Sequence, residues 1–367
     1  MTNEKINRYQ LFTLIIFFEL GSTFLVGLSL NAGRDSWIVL LLSLLGGIGL
    51  LLGYLKLYSW YPDLLFTKAV IKVLGRVVGY PIALLYCIYF LYMGARVLRD
   101  FGDLLAITIL HGTPLFVTIT LFTIIIGFGA YLGIEVIART GEIFLPWALL
   151  MGGLFIFFVY MMGLPQLHNI QPILNDGWSN IWNNVFPAGI TFPFGEMIVF
   201  SMLYPYVTNQ KKLSTTSLFG LFISGLIITL ISVTIVTVLG PSWAKSSAVP
   251  VLDTISMVNL QDFIQRLDPI VIILLVMAGF FKIALLFYVS FIGLKDLLSI
   301  PNNRRGAFVI VLSLLLITVS LVMSKNYIEH TEVGLKIVPL YIHVPMQIIV
   351  PFFLISIAIV RKKLAKN

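Results

Sequence analysis

The feature that most constrains this sequence is the repeated return of apolar stretches close to 20 residues long. Ten of them can be read, at roughly 9–30, 36–58, 80–109, 114–132, 135–162, 179–207, 214–240, 268–298, 306–323 and 337–360. A stretch of that length crosses the hydrocarbon core as a helix, where every backbone polar group has to be satisfied inside protein. The expected fold is therefore an all-α polytopic membrane protein. Composition agrees: 59% of the residues are hydrophobic and 11% charged, whereas a soluble domain carries about 25% charge. No region is polar and long enough to form a separate soluble domain, so residues 1–367 read as a single membrane domain. Pro62, Pro81, Pro114, Pro165, Pro241, Pro269 and Pro301 lie at or near span boundaries, where a proline costs little.

The formal net charge is +8, and its distribution explains it better than a nucleic-acid partner would. With the N-terminus inside, the inner segments carry sixteen Lys and Arg residues against five outside, the five being Arg34, Lys245, Arg266, Lys325 and Lys336. This excess places both termini in the cytoplasm. The polar lead with Lys5 and Arg8 is followed by no Ala-x-Ala-like site, so the first span is expected to be uncleaved. The single cysteine, Cys87, lies in span three and forms no internal disulfide. Residues 62–79 alternate apolar positions with Lys68, Lys72 and Arg76, the pattern of an amphipathic helix on the inner surface. The outer stretch 241–268, with Val251, Ile255, Val258 and Ile264, reads either as short helices capping the outer face or as a passive connector.

Two spans are interrupted. At the middle of span one stands Glu19-Leu20-Gly21-Ser22-Thr23, a carboxylate, a glycine and two hydroxyls where a plain anchor would have leucine or valine. Glycine loosens the helix, and Ser and Thr can bond backbone groups that an unwound turn sets free. An unbroken helix with a small-residue packing face would also account for this stretch alone. Span six runs through Phe186-Pro187-Ala188-Gly189 and Thr191-Phe192-Pro193-Phe194-Gly195-Glu196 before a helix is expected to resume from Met197 to Tyr204. Pro193 removes a backbone donor and Gly195 permits unusual dihedrals. The two interruptions lie five spans apart, each with a glutamate beside it. A repeat of five spans is necessarily inverted in topology, and breaks at matching positions of two halves point to a transporter-type site. The halves would be about 9–162 and 179–360.

With the polar lead, Leu20-Gly21-Ser22, the Arg99 to Asp103 pair, Pro193-Phe194-Gly195-Glu196, and the Arg-Leu-Asp into span eight with Phe280-Phe281-Lys282, the chain resembles the B subunit of spore germinant receptors, the GerAB-type spore germination proteins. The resemblance covers nearly the whole chain through short, degenerate motifs. It implies the amino acid–polyamine–organocation (APC) superfamily and the five-plus-five inverted-repeat fold of the leucine transporter, with helices 1 and 6 broken. It further implies a subunit of the spore inner membrane that senses a small nutrient such as an amino acid, beside an A subunit and a lipoprotein C subunit. An autonomous proton-coupled amino acid permease would share that fold. Thr23 and Lys282 depart from the simplest family pattern and bear on which nutrient is bound.

The expected substrate-binding residues are Gly21, Ser22, Thr23, Tyr89, Met93, Phe194, Gly195, Glu196 and Lys282. The span-one break would present backbone donors to a carboxylate. The Phe194-Gly195 break would offer carbonyls to an ammonium and a ring to cover the ligand. Tyr89, Tyr92, Met93 and Arg96 share one side of span three, as a pocket wall or as plain packing. Arg96 with Asp100 and Arg99 with Asp103 are i, i+4 pairs expected to act as clamps or gate elements, and Glu135 with Arg139 as a structural ion pair. Lys282 falls near mid-bilayer, and Glu19, Glu196 and Glu142 are all candidate partners. In the fold the resemblance implies, span eight packs on the span-one break where sodium-coupled members hold a cation. The Lys282 ammonium would stand in for that ion and donate to carbonyls freed near Gly21; otherwise it points into a water-filled vestibule. His111, His168, His330 and His343 are dispersed and no glycine-rich phosphate loop is present, so no enzyme, metal or cofactor is expected.

Overall fold

Apolar segments of bilayer length dictate helices, and helices account for nearly all of the computed structural model, which describes residues 4–23, 27, 29–258 and 267–364. Among them, nine segments are long and apolar enough to cross a membrane. Leu30–Trp60, Arg76–Thr108, Leu115–Leu132 and Ile134–Met161 are spans two to five; Gly177–Met202, Gln210–Leu239, Asp268–Leu297, Asn302–Val322 and Pro339–Leu364 are spans six to ten. Span one is the tenth. Its helix Arg8–Leu20 is too short to cross alone and gives way to a turn at Gly21 and Ser22. The part of the expected span that falls on residues 24–26 and 28 lies outside the described residues.

Three local structures differ from expectation. Span three begins at Arg76 rather than 80, because Gly75 (φ 84°) separates it from the surface helix Phe66–Leu74. That helix buries Phe66, Ala69, Val70 and Val73 and exposes Lys68 and Lys72, as the amphipathic pattern requires. Span six does not resume as an α-helix: Phe194–Met202 is a 3-10 helix whose nine residues are all buried. At about 2.0 Å per residue this stretch covers more depth than an α-helix of equal length. Span ten contains an eleven-residue π-helix, Pro339–Ile349, before its α-helical end Val350–Leu364. The stretch after span seven does form short helices, Pro241–Ser246 and Pro250–Ser256, whereas Ile264 lies outside the described residues.

Burial separates centre from rim. Span six buries 72% of its most apolar window and span five 17%. Spans one, six, seven and eight thus form the centre, and spans four, five and nine turn side chains such as Ile124, Leu149 and Leu314 outward. Aromatic pairs tie the centre together: Phe17 stacks on Phe281 at 4.4 Å, and Phe18 meets Phe200 edge-on at 5.3 Å. The polar lead is part of the bundle. Ile6 donates to the Tyr206 carbonyl and accepts from Thr208 N–H, both at 2.9 Å. Glu4 accepts from the Tyr288 hydroxyl (2.8 Å) and Ile134 N–H (3.0 Å) and faces Arg305 at 3.4 Å. Glu4 and Ile6 thereby fasten the lead to spans five, eight and nine and to the segment that follows span six.

Candidate functional site

The site begins at the two breaks. Gly21 retains helical dihedrals, and its N–H still reaches the Phe18 carbonyl at 3.4 Å, so it is not itself the exposed donor expected there. Its role is room: a Cβ would lie 2.7 Å from Lys282 Cβ and 2.9 Å from the Ala278 carbonyl, so only glycine lets span eight pack this close. A turn follows at Gly21 and Ser22, and Thr23 Oγ1 donates back to the Glu19 carbonyl at 2.6 Å. Among the described residues, Ser22 Oγ and both carboxyl oxygens of Glu19 are buried without a hydrogen-bond partner.

Lys282 chooses Glu196 among its three candidate carboxylates. Nζ meets Glu196 Oε2 at 2.5 Å, with the lysine wholly buried and the glutamate nearly so. The ammonium also lies 5.0 Å from the Phe18 ring centroid and 4.8 Å from that of Phe192. It therefore joins span eight to span six rather than donating to carbonyls of the span-one break, because Gly21 steers the side chain past that backbone. It also does not point into a water-filled vestibule, being fully enclosed. Glu142 is engaged elsewhere, accepting from Gln10 Nε2 at 2.8 Å.

A small cavity of about 50 Å³ lies beside this pair, lined among others by Ser22, Met93, Arg96, Phe192, Glu196 and His343. The aromatic ring at this cavity is that of Phe192; Phe194 packs instead on Gly47 of span two, where any Cβ would collide with it. Gly195 lies against the Gln347 side chain, and its carbonyl accepts from Tyr54 Oη at 3.3 Å rather than standing free. Tyr89 is set back from the cavity by one hydrogen bond. Its hydroxyl contacts His343 Nδ1 at 2.8 Å and accepts from Gln347 Nε2 at 2.7 Å, while Tyr54 donates to the Gln347 carbonyl at 2.7 Å. Span ten thus contributes His343 and Gln347, which were not anticipated. The readable signal was a polar i, i+4 pair inside an otherwise apolar span.

One side of the cavity is closed by a charged cluster. Arg99 pairs with Asp103 at 2.8 Å as expected, but Asp100 pairs with His330 Nε2 at 3.0 Å, and Arg96 donates to the His330 carbonyl at 2.8 Å. Gly334 makes room for the Arg96 guanidinium, which holds Arg96 across the cavity instead of along its own helix toward Asp100. Beyond Thr331 and Leu335 a larger cavity of about 730 Å³ opens. At the end of the bundle that holds the polar lead, a further cavity of about 420 Å³ is lined by Glu4, Lys68, Tyr288, Lys295 and Arg305. Glu135 and Arg139 form their ion pair at 2.5 Å, away from this site. Among the described residues no group of His, Cys, Asp and Glu side chains is arranged to hold a metal.

Two interrupted spans, one and six, beside a buried ion pair that joins spans six and eight, inside further membrane-length helices, define a membrane protein of the leucine-transporter-like class. The structure superposes on Mhp1, a nucleobase-cation-symport-1 family transporter solved closed with bromovinylhydantoin, with TM-score 0.68 and 12% identity over 88% of this chain and 73% of that one. It superposes on MhsT in complex with L-phenylalanine with TM-score 0.66 and 16% identity, covering 96% and 88%. Within that class the chain belongs to the spore germination protein family, which it matches over residues 5–328. It is 34% identical to spore germination protein KB of Bacillus subtilis (strain 168) over 99% of this chain and 97% of that one. Identity to spore germination protein XB of Bacillus anthracis is 24%, over 75% and 74%.

Proposed function

We propose that this chain is the nutrient-sensing membrane subunit of a spore germination receptor, and that it binds a small molecule, an amino acid, where spans one and six break. It acts in the spore inner membrane with both termini in the cytoplasm, beside an A subunit and a lipoprotein C subunit. The observation that carries this reading is the cavity itself: it lies between the two breaks and combines Ser22, Glu196, Arg96 and His343, donors and acceptors suited to a zwitterion. Family membership and a fold shared with MhsT, solved in complex with L-phenylalanine, support it.

At about 50 Å³ the cavity holds a water or two and no amino acid. Binding therefore has to separate the Arg96–His330–Asp100 closure, which gives the ligand a conformational change to drive. The test is saturable binding of labelled amino acids to the purified receptor assembly, with nutrient-dependent germination of spores carrying site variants. Uptake of labelled amino acid by this chain alone in liposomes would replace the receptor reading with the proton-coupled permease.

A further inference from the structure

The surroundings of the Lys282 ammonium are those of a recognition site. A carboxylate meets it at 2.5 Å, and two aromatic rings lie 5.0 and 4.8 Å away. A carboxylate with aromatic faces is how a desolvated ammonium is bound, by charge and by the ring quadrupoles. The alkyl stem has its own slot, since Gly21 faces Lys282 Cβ and Cδ where any larger residue would fill the space. Among the described residues neither Nζ nor Glu196 Oε2 has a hydrogen-bond partner beyond this pair.

We propose that Glu196, Phe18 and Phe192, with the slot at Gly21, form a seat for a primary alkylammonium, which the chain's own Lys282 occupies as a tethered ligand. The seat abuts the central cavity through Phe192 and Glu196. An amine whose own molecule is also held by the groups lining the cavity exchanges with Lys282 and releases the link between spans six and eight, whereas a bare alkylammonium does not displace the tethered lysine. This deepens the nutrient-site reading and rests on it in one respect, that the nutrient's amine is the free ligand which makes the exchange.

Chemical rescue tests the seat without knowledge of the nutrient. Replacing Lys282 by alanine removes three methylenes and the ammonium, the size of propylammonium. Purified wild-type, Lys282→Ala and Lys282→Ala/Glu196→Gln proteins are unfolded thermally across a series of propylammonium chloride, with 1-propanol as the neutral probe. Propylammonium is expected to raise the midpoint of Lys282→Ala with the logarithm of its concentration, at concentrations about tenfold below those 1-propanol needs. It should leave the wild type, whose seat is filled, and the double variant unchanged. If Lys282→Ala does not accumulate, propylammonium is supplied during expression and the folded yield is read instead. Equal effects on wild type and variant, equal effects of the alcohol, or no recovery of yield would overturn the seat. Failed rescue beside intact amino acid binding by the wild type removes the seat alone; absent amino acid binding beside successful rescue removes the nutrient reading alone.

Discussion

Gly21 and Lys282 are one structural decision made by two residues. The missing side chain of the first is the slot of the second, with only 2.7 Å between the place of a Gly21 Cβ and Lys282 Cβ. A Gly21→Leu change should push Lys282 off Glu196, at an overpacking cost of about 1–3 kcal/mol. The expected outcome is a spore that still carries the chain in its membrane, by immunoblot, but no longer responds to its nutrient; an unchanged dose–response would remove Gly21 from the site. Lys282→Met should be far more damaging than Lys282→Arg. Methionine leaves Glu196 buried without its cation, a loss of about 3–5 kcal/mol for a buried pair, whereas arginine keeps the charge. Because the protein supplies its own cation at this position, the response should be the same in sodium and in choline buffers. Sodium dependence, or a fully active methionine variant, would contradict this account.

Among the elements, span ten is the one whose conformation matters most to the site. Its π-helical stretch Pro339–Ile349 directs His343 and Gln347 inward and leaves the Met346 and Gln347 carbonyls to Tyr86 and Tyr54, each at 2.7 Å. Tyr89 Oη is the junction of this network. Tyr89→Phe removes one oxygen and leaves both Gln347 Nε2 and His343 without their buried partner, which costs about 1–3 kcal/mol per orphaned group. A lowered thermal midpoint together with a raised nutrient concentration for half-maximal germination is the expected pair of results. A lowered midpoint with unaltered nutrient sensitivity would reduce the network to scaffolding.

For the molecule as a whole, the cavities of about 420 and 730 Å³ at opposite ends and the small one between them describe a closed centre. At the end holding the polar lead, closure depends on Glu4, which gathers Tyr288, Ile134 and Arg305. Glu4→Ala should loosen this end. Cys87 is the single cysteine and is buried, so Ser299→Cys, at the rim of the 420 Å³ cavity, can report on it in an otherwise native chain. Faster thiol labelling of Ser299→Cys in the Glu4→Ala background is the expected result, and an unaltered rate would show that Glu4 does not hold the bundle shut.

The bundle of spans, the surface helix at Phe66–Leu74 and the breaks beside Gly21 and Pro193 were legible in the sequence, because each follows from local rules of hydrophobic length, residue period and backbone chemistry. The Arg99–Asp103 and Glu135–Arg139 pairs were legible for the same reason, being neighbours along one helix. The choice of Glu196 for Lys282 was not, since Glu19 and Glu142 satisfy the same sequence criteria. Helix rotation and the close approach at Gly21 made that choice. Asp100 likewise turned from Arg96 to His330 once Gly334 let the guanidinium lie across the cavity. Nor could His343 and Gln347 be assigned to the site, because a π-helix adds a residue to each turn and so rotates every later side chain to another face. Local sequence determined which residues could carry charge into the membrane, and only the packing of spans one, six, eight and ten decided which of those charges meet.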